Sequence, residues 1–213
     1  MEKFPTRESF GEMVEAELNA GTSQAKVSHW ACCRETHQDG GSHFRTAVHN
    51  SIRLGCGKFR NVILVGPSNC GKKFMFRPLA NIYGDDVFEN PANHKFCWVG
   101  ADKATILMLQ DFRWSKDLVT WKDLLLFLEG EKVKFPAPRN LFRDDVYIYG
   151  NVAIFATSRS EIKCKGTYNS TDNQEDEMMR SRWRVFNFKH VFREKDQKQV
   201  EACGVCFANF ILG

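Results

Sequence analysis

Short apolar runs recur along the chain, and several of them end at polar segments. They cover residues 61–65, 105–110 and 152–156, and further β-like segments cover residues 26–34, 95–99, 132–135, 146–149 and 184–188. Unbroken runs of this length are typical of buried strands. Helical patterns are predicted over residues 8–19, 72–82 and 194–212, and in a segment that Ser115 can cap and Gly130 can end. The polar residues that follow the apolar runs are therefore the first candidates for chemistry.

The run at residues 61–65 leads into a loop with the spacing of a phosphate-binding P-loop. The loop consists of Gly66, Pro67, Ser68, Asn69, Cys70, Gly71, Lys72 and Lys73. Its glycines let backbone N–H groups turn inward, and Lys72 adds a positive charge for the β- and γ-phosphates. Lys73 replaces the Ser or Thr whose hydroxyl binds Mg²⁺. The loop predicts nucleotide binding and leaves hydrolysis as a separate question; a glycine turn that binds nothing is the alternative.

Two further strand ends carry polar side chains. Asp111 follows residues 105–110, where a carboxylate beside a phosphate loop holds the metal or orients water. The alternative is that Asp111 only caps the next turn. Thr157 and Ser158 follow residues 152–156, and we expect them to lie near a γ-phosphate.

Basic residues suggest contacts with phosphates elsewhere. Lys132, Lys134 and Arg139 belong to a predicted hairpin with aromatic neighbours, which suits a nucleic-acid backbone, although an ordinary surface hairpin explains it nearly as well. Arg180 and Arg182 precede the strand at residues 184–188, where arginines either face solvent or act on a transferring phosphoryl group.

Metal binding has weaker support. Residues 35–45 contain two histidines and two carboxylates, which could be ligands or surface polar residues, and lead into a β-like run that ends at Val48. Cys203 and Cys206 form a single C-x-x-C pair, which is a weak zinc signal.

The composition fits a globular protein of 213 residues, with 43% hydrophobic and 26% charged residues and a net charge of +4. No apolar run reaches the ~18 residues of a membrane span, and the first residues lack the order of a signal peptide. We expect an intracellular protein that contacts no membrane and whose eight cysteines are free thiols.

Together these segments resemble the superfamily 3 helicase domain, most closely that of Rep-like and parvovirus non-structural replication proteins and their relatives in mobile elements. The likeness rests on the P-loop, on residues 109–112, on residues 154–158 and on residues 182–186. It implies an α/β P-loop NTPase with a five-stranded parallel sheet in the order 5-1-4-3-2 and a hairpin inserted between strands 3 and 4. It also implies that Asp111 is the Walker-B acid, that Thr157 and Ser158 occupy the sensor position, and that Arg182 is an arginine finger. Arg139 stands in place of the hairpin's DNA-contacting lysine, and Gln110 replaces a second acid.

Residues 1–50 are similar to the opening of an HUH rolling-circle endonuclease domain. Glu35 matches its acidic ligand, but the His-hydrophobic-His pair reads His43-Phe44-Arg45, and no tyrosine has the expected lysine three residues later. Nicking is therefore not expected. This division gives a fragment at residues 1–50, a linker at residues 51–60 and an ATPase domain at residues 61–213.

The resemblance predicts an ATP-binding, DNA-translocating helicase-like ATPase with impaired hydrolysis. Its expected partners are ATP, weakly held Mg²⁺, single-stranded DNA and copies of itself in a ring, and its expected location is the nucleus. A catalytically disabled remnant that binds nucleotide and DNA and joins intact relatives is the alternative.

Overall fold

The computed structural model describes residues 40–89, 98–136, 145–164, 173–193 and 202–212. The helix expected at residues 8–19, the strand at residues 26–34, Glu35 and Arg139 lie outside these ranges. In the part that the structure describes, no helix is long and apolar enough to cross a bilayer.

The described strands and helices follow in the order predicted for a P-loop fold. The strands are β1 (Asn61–Val65), β2 (Val87–Glu89), β3 (Ile106–Leu109), β4 (Val133–Phe135), β5 (Val146–Ile148), β6 (Ala153–Ser158) and β7 (Trp183–Asn187). The helices are α1 (Gly40–Leu54), α2 (Lys72–Tyr83), α3 (Trp121–Glu129), α4 (Asn173–Arg180) and α5 (Gly204–Leu212).

Five strands form a parallel sheet in the order β2-β3-β6-β1-β7. If only the five sheet strands are numbered along the chain, β6 becomes strand 4 and β7 becomes strand 5, and the order is 2-3-4-1-5. Read from the other end, this is the predicted order 5-1-4-3-2. Strands β4 and β5 form the predicted antiparallel hairpin, in which Val133 is opposite Ile148. The α/β fold class and the inserted hairpin are confirmed.

Each central strand is buried on both sides because helices or the hairpin cover both faces of the sheet. Ile63 and Val65 of β1 pack with helix α3 and the hairpin. Val62 and Leu64 of β1 pack with helices α1, α2 and α5. All five β1 residues and all six β6 residues are buried, which explains the apolar runs at residues 62–65 and 153–156.

Helix α1 corrects the β-like run that was expected to end at Val48. Phe44, Ala47 and Val48 are buried at helical spacing and pack on the same face of the sheet as Leu64. His43 and Arg45 thus lie on this helix rather than on a strand. The helix also passes through the expected boundary at residue 50 and continues to Leu54.

Three other local predictions need correction. The second strand of the sheet is β2, whereas Trp98 and Val99 of the strand expected at residues 95–99 form a turn. Helix α3 is capped by Thr120, whose side chain accepts a hydrogen bond from the Asp123 N–H, and Ser115 lies in a preceding turn. Pro78 was expected to kink or end helix α2, but the helix continues past it to Tyr83.

Candidate nucleotide-binding site

The P-loop lies between the carboxyl end of β1 and the start of α2, as the sequence predicted. Asn69 and Gly71 have positive φ values of 58° and 83°, so the chain makes the sharp turns that direct backbone N–H groups inward. The Gly66 N–H donates to the Ser158 carbonyl over 3.1 Å, which joins the loop to the end of β6. The loop is thus held in a turned form before any ligand binds.

Lys72 is folded into this loop and is 8% exposed. Its ammonium donates to the carbonyl oxygens of Gly66 over 2.7 Å and of Pro67 over 2.5 Å, and it lies 3.3 Å from the Cys70 Sγ. These three partners of the buried charge are neutral dipoles. A phosphate group would be a stronger partner because it carries a full opposite charge.

The segment at residues 188–193 contacts the loop. The Phe188 N–H donates to the Val65 carbonyl over 2.7 Å, and the Phe192 N–H donates to the Asn69 carbonyl over 2.8 Å. A Cβ at Gly66 would lie 2.2 Å from the Phe188 carbonyl oxygen, and one at Gly71 would lie 3.1 Å from the Phe192 ring. Both glycines therefore permit a close approach. Sequence reasoning missed this segment because its contacts join residues more than 100 positions apart.

Asp111 lies at the carboxyl end of β3, and its side chain is exposed. Its φ of 48° is unusual for a residue other than glycine. The backbone is held there because the Asp111 N–H donates to the Thr157 Oγ1 over 2.8 Å and the Phe112 N–H donates to the Thr157 carbonyl over 2.8 Å. The predicted sensor residue Thr157 thus positions the backbone that carries the predicted Walker-B acid.

Ser158 is buried and bonded to the backbone. Its hydroxyl lies 3.1 Å from the Phe112 carbonyl oxygen and 2.7 Å from the Ser160 carbonyl oxygen. A hydroxyl has one proton to donate, and these two carbonyl oxygens already compete for that proton. Ser158 therefore stabilises the loop after β6 in this structure.

Lys73, Gln110 and Thr157 line one small cleft between α2 and the strand ends. Lys73 is exposed at the start of α2. The Gln110 amide donates to the Glu89 carboxylate over 2.8 Å, which brings an acid from the end of β2 to this edge of the sheet. Glu89 was not predicted, although it lies at the carboxyl end of its strand, as Asp111 does.

These residues do not fit a dedicated Mg²⁺ site. Mg²⁺ is held by carboxylates, hydroxyls, waters and phosphates, whereas the position of the motif hydroxyl carries the ammonium of Lys73. Within the described ranges, no group of three or more His, Cys, Asp or Glu side chains could hold a metal ion. Cys203 and Cys206 therefore belong to no such group within the described ranges. The Cys206 N–H donates to the Cys203 Sγ over 3.3 Å.

Arg182 lies away from the P-loop, at the start of β7, and is 7% exposed. Its guanidinium forms an ion pair of 3.0 Å with Glu129, donates to the Leu125 carbonyl over 3.1 Å and also donates to the Met178 carbonyl. An arginine finger has to reach a phosphate on a neighbouring subunit, and these contacts hold the side chain inside its own chain. In this structure these contacts stabilise the fold, and the role of Arg182 as an arginine finger stays a prediction.

The two hairpin lysines differ in the partners of their ammonium groups. Lys134 forms an ion pair of 2.6 Å with Asp145. The Lys132 ammonium lies over the rings of Tyr147 and Tyr149, at 4.6 and 5.9 Å from their centroids. Lys132 is thus the better placed of the two to meet a phosphate.

Solved structures with the same architecture include a helicase. The C-terminal region of NrS-1 matches with a TM-score of 0.58 at 13% identity, over 87% of this chain and 44% of that chain. JCV helicase matches with a TM-score of 0.55 at 13% identity, over 95% of this chain and 61% of that chain. This chain shares their fold. It spans about half the length of these structures. No protein-family model and no curated protein matches the sequence.

Proposed function

We propose that this chain binds ATP at the P-loop and acts as a helicase-like ATPase module on DNA, with slow hydrolysis. The observation that carries the proposal is the Lys72 ammonium, which is enclosed by the loop at the carboxyl end of β1. Parallel α/β sheets bind ligands at this edge, and the N-terminus of α2 adds a partial positive charge there. The fold shared with JCV helicase supports the same assignment.

Lys73 is the residue that limits hydrolysis in this proposal. A unit-charge pair ~4 Å apart interacts by about 4 kcal/mol at an effective dielectric near 20, so an ammonium beside a divalent ion opposes its binding by several kcal/mol. Lys73 can turn towards a phosphate instead, where it adds to the attraction by Lys72. We expect ATP affinity that depends little on Mg²⁺, and slow turnover.

Asp111 is the candidate that would orient water or hold a weakly bound metal ion beside the γ-phosphate. Its exposed carboxylate lies on a backbone fixed by Thr157, so a bound nucleotide would meet a positioned group. Glu89 lies on the neighbouring strand and adds negative charge to the same edge through Gln110. This carboxylate compensates in part for the missing second acid.

The proposed DNA contacts are Lys132 and Lys134 of the hairpin, together with Arg139, which lies outside the described residues. Assembly into a ring and a nuclear location belong to this proposal through the family resemblance alone. To act as an arginine finger on a neighbouring subunit, Arg182 would have to leave its ion pair with Glu129.

A second candidate function is that of a disabled nucleotide- and DNA-binding remnant. Two observations favour it: Lys73 occupies the position of the motif hydroxyl, and Arg182 is committed to its own fold. Such a protein would bind ATP and DNA without turnover and would act by joining intact relatives.

The experiment that separates these functions compares the unmodified chain with Lys73→Ser in ATP binding and hydrolysis, with and without Mg²⁺. We expect the unmodified chain to bind ATP in both conditions and to turn it over slowly, and Lys73→Ser to gain Mg²⁺-dependent turnover. Fast Mg²⁺-dependent hydrolysis by the unmodified chain would contradict the role of Lys73. Turnover by Lys73→Ser alone would identify the chain as a disabled remnant.

A further inference from the structure

Two exposed tyrosines lie at the base of the hairpin. Tyr147 and Tyr149 are 42% and 54% exposed, whereas Val146 and Ile148 between and beside them are buried. Alternate residues of a strand point to opposite faces, so both rings lie on the solvent face of β5 and its continuation. Exposed aromatic rings side by side favour a ligand with a flat apolar surface.

These rings form part of a cavity of about 160 Å³. The remaining lining comes from Ile148 of β5, from the 3-10 helix at Ala101–Lys103 and from the residues just before β3 and β6. Three lining residues, Asp102, Thr105 and Asn151, carry hydrogen-bonding side chains. The cavity therefore combines aromatic surfaces with polar groups that can recognise the edge of a planar ring.

The charges divide this site into two parts. The Lys132 ammonium lies over both tyrosine rings, and within the described residues no ion pair joins it to a carboxylate. Asp102 places a carboxylate in the lining of the cavity itself. A phosphate would be attracted to Lys132 and repelled by Asp102, whereas the amino group of a base would find an acceptor in Asp102.

From this arrangement we propose that the cavity takes one unstacked base of a single-stranded nucleic acid, with Tyr147 and Tyr149 as the stacking surfaces and Lys132 on the adjoining phosphate. A base within a duplex has both faces and its pairing edge covered, so only a single strand can offer it. The inference rests on the nucleic-acid binding in the proposed function and adds a base-binding cavity to it.

The cavity lies away from the P-loop. Thr105 precedes β3 and Val152 precedes β6, so the cavity is at the amino edge of the parallel sheet, whereas the P-loop is at its carboxyl edge. Base binding there needs no nucleotide in the P-loop. It can therefore be measured without ATP, independently of any ATPase activity.

The test measures binding of a fluorescent single-stranded oligonucleotide of mixed sequence by anisotropy at several salt concentrations, using the full chain without ATP. The double substitution Tyr147→Leu and Tyr149→Leu should weaken binding about 10- to 100-fold at an unchanged salt dependence, since stacking releases no counterions. The double substitution to phenylalanine should stay within about threefold of the unmodified chain. Lys132→Ala should lower the slope of log K against log salt by about 0.7.

Phe59→Leu is the matched control. Phe59 is 50% exposed and has the Arg184 guanidinium 5.2 Å from its ring centroid. It therefore also pairs an exposed aromatic ring with a cation, but it does not line the cavity. We expect it to leave binding unchanged. Photocross-linking of an oligonucleotide with 5-iodocytosine to the unmodified chain should also label the peptide that contains Tyr147 and Tyr149.

Equal affinity of the leucine double variant and the unmodified chain would overturn the base-binding cavity while leaving electrostatic nucleic-acid binding intact. Cross-linking only to other peptides would also overturn it. If the unmodified chain binds no single strand even at low salt, both the nucleic-acid part of the proposed function and this inference are wrong; ATP binding would still be tested separately.

Discussion

Replacing Arg182 with alanine should destabilise the folded chain. The change removes the ion pair with Glu129 and the donors to the Leu125 and Met178 carbonyls. Removing one partner of a buried ion pair costs about 3–5 kcal/mol because the other charge is left without compensation. The Glu129 side chain is 25% exposed and keeps the Lys58 ammonium 3.8 Å away, so we expect the lower end, about 3 kcal/mol. For a chain of this size that corresponds to a fall of roughly 6–12 °C in Tm.

The assay is equilibrium urea unfolding of the unmodified chain, Arg182→Ala and Arg184→Ala. Arg184 lies two residues further on but is exposed, with its guanidinium over the Phe59 ring, so its removal should cost less than about 1 kcal/mol. If Arg182→Ala is as stable as Arg184→Ala, the structural role is refuted. If Arg182→Ala is as stable as the unmodified chain but its turnover is lower by a factor of about 10³ to 10⁵, Arg182 acts as an arginine finger.

Two further predictions concern stability. Gly66→Ala should cost about 1–3 kcal/mol in urea unfolding, because its Cβ would lie 2.2 Å from the Phe188 carbonyl oxygen; an unchanged midpoint would show that residues 188–193 do not press on the loop. Burial raises the pKa of the Cys56 thiol from 9.0 to about 11. The unfolded thiol ionises above pH 9 while the folded thiol stays neutral, so this stabilisation is present below pH 9 and is lost between pH 9 and about 11. Cys56→Ala should therefore show a shallower loss of unfolding free energy over that range, and an equal slope would contradict the burial argument.

The elements that sequence predicted well are those whose pattern is local. The run at β1, the glycine spacing of the P-loop and the start of α2 are adjacent in sequence, and the structure has them as expected. Asp111 follows β3 for the same reason. The strand order followed from the resemblance, since no local pattern specifies which strands are neighbours.

The errors arose where contacts distant in sequence decide the structure. Residues 43–48 have β-like composition, yet Phe44 and Val48 are one helical turn apart and pack against the sheet. The contacts of Arg182 were not predicted because Glu129 and the carbonyls that bind it lie on other elements. Glu89 was missed because its bond to Gln110 depends on the pairing of β2 with β3.

The most direct test of the account is calorimetric ATP binding without divalent metal, on the unmodified chain, Lys72→Ala and Lys73→Ala. The account predicts one ATP per chain for the unmodified protein, loss of binding in Lys72→Ala because the enclosed ammonium is gone, and weaker but measurable binding in Lys73→Ala. Absence of binding by the unmodified chain, or equal binding by Lys72→Ala, would contradict the assignment of this loop as a nucleotide site.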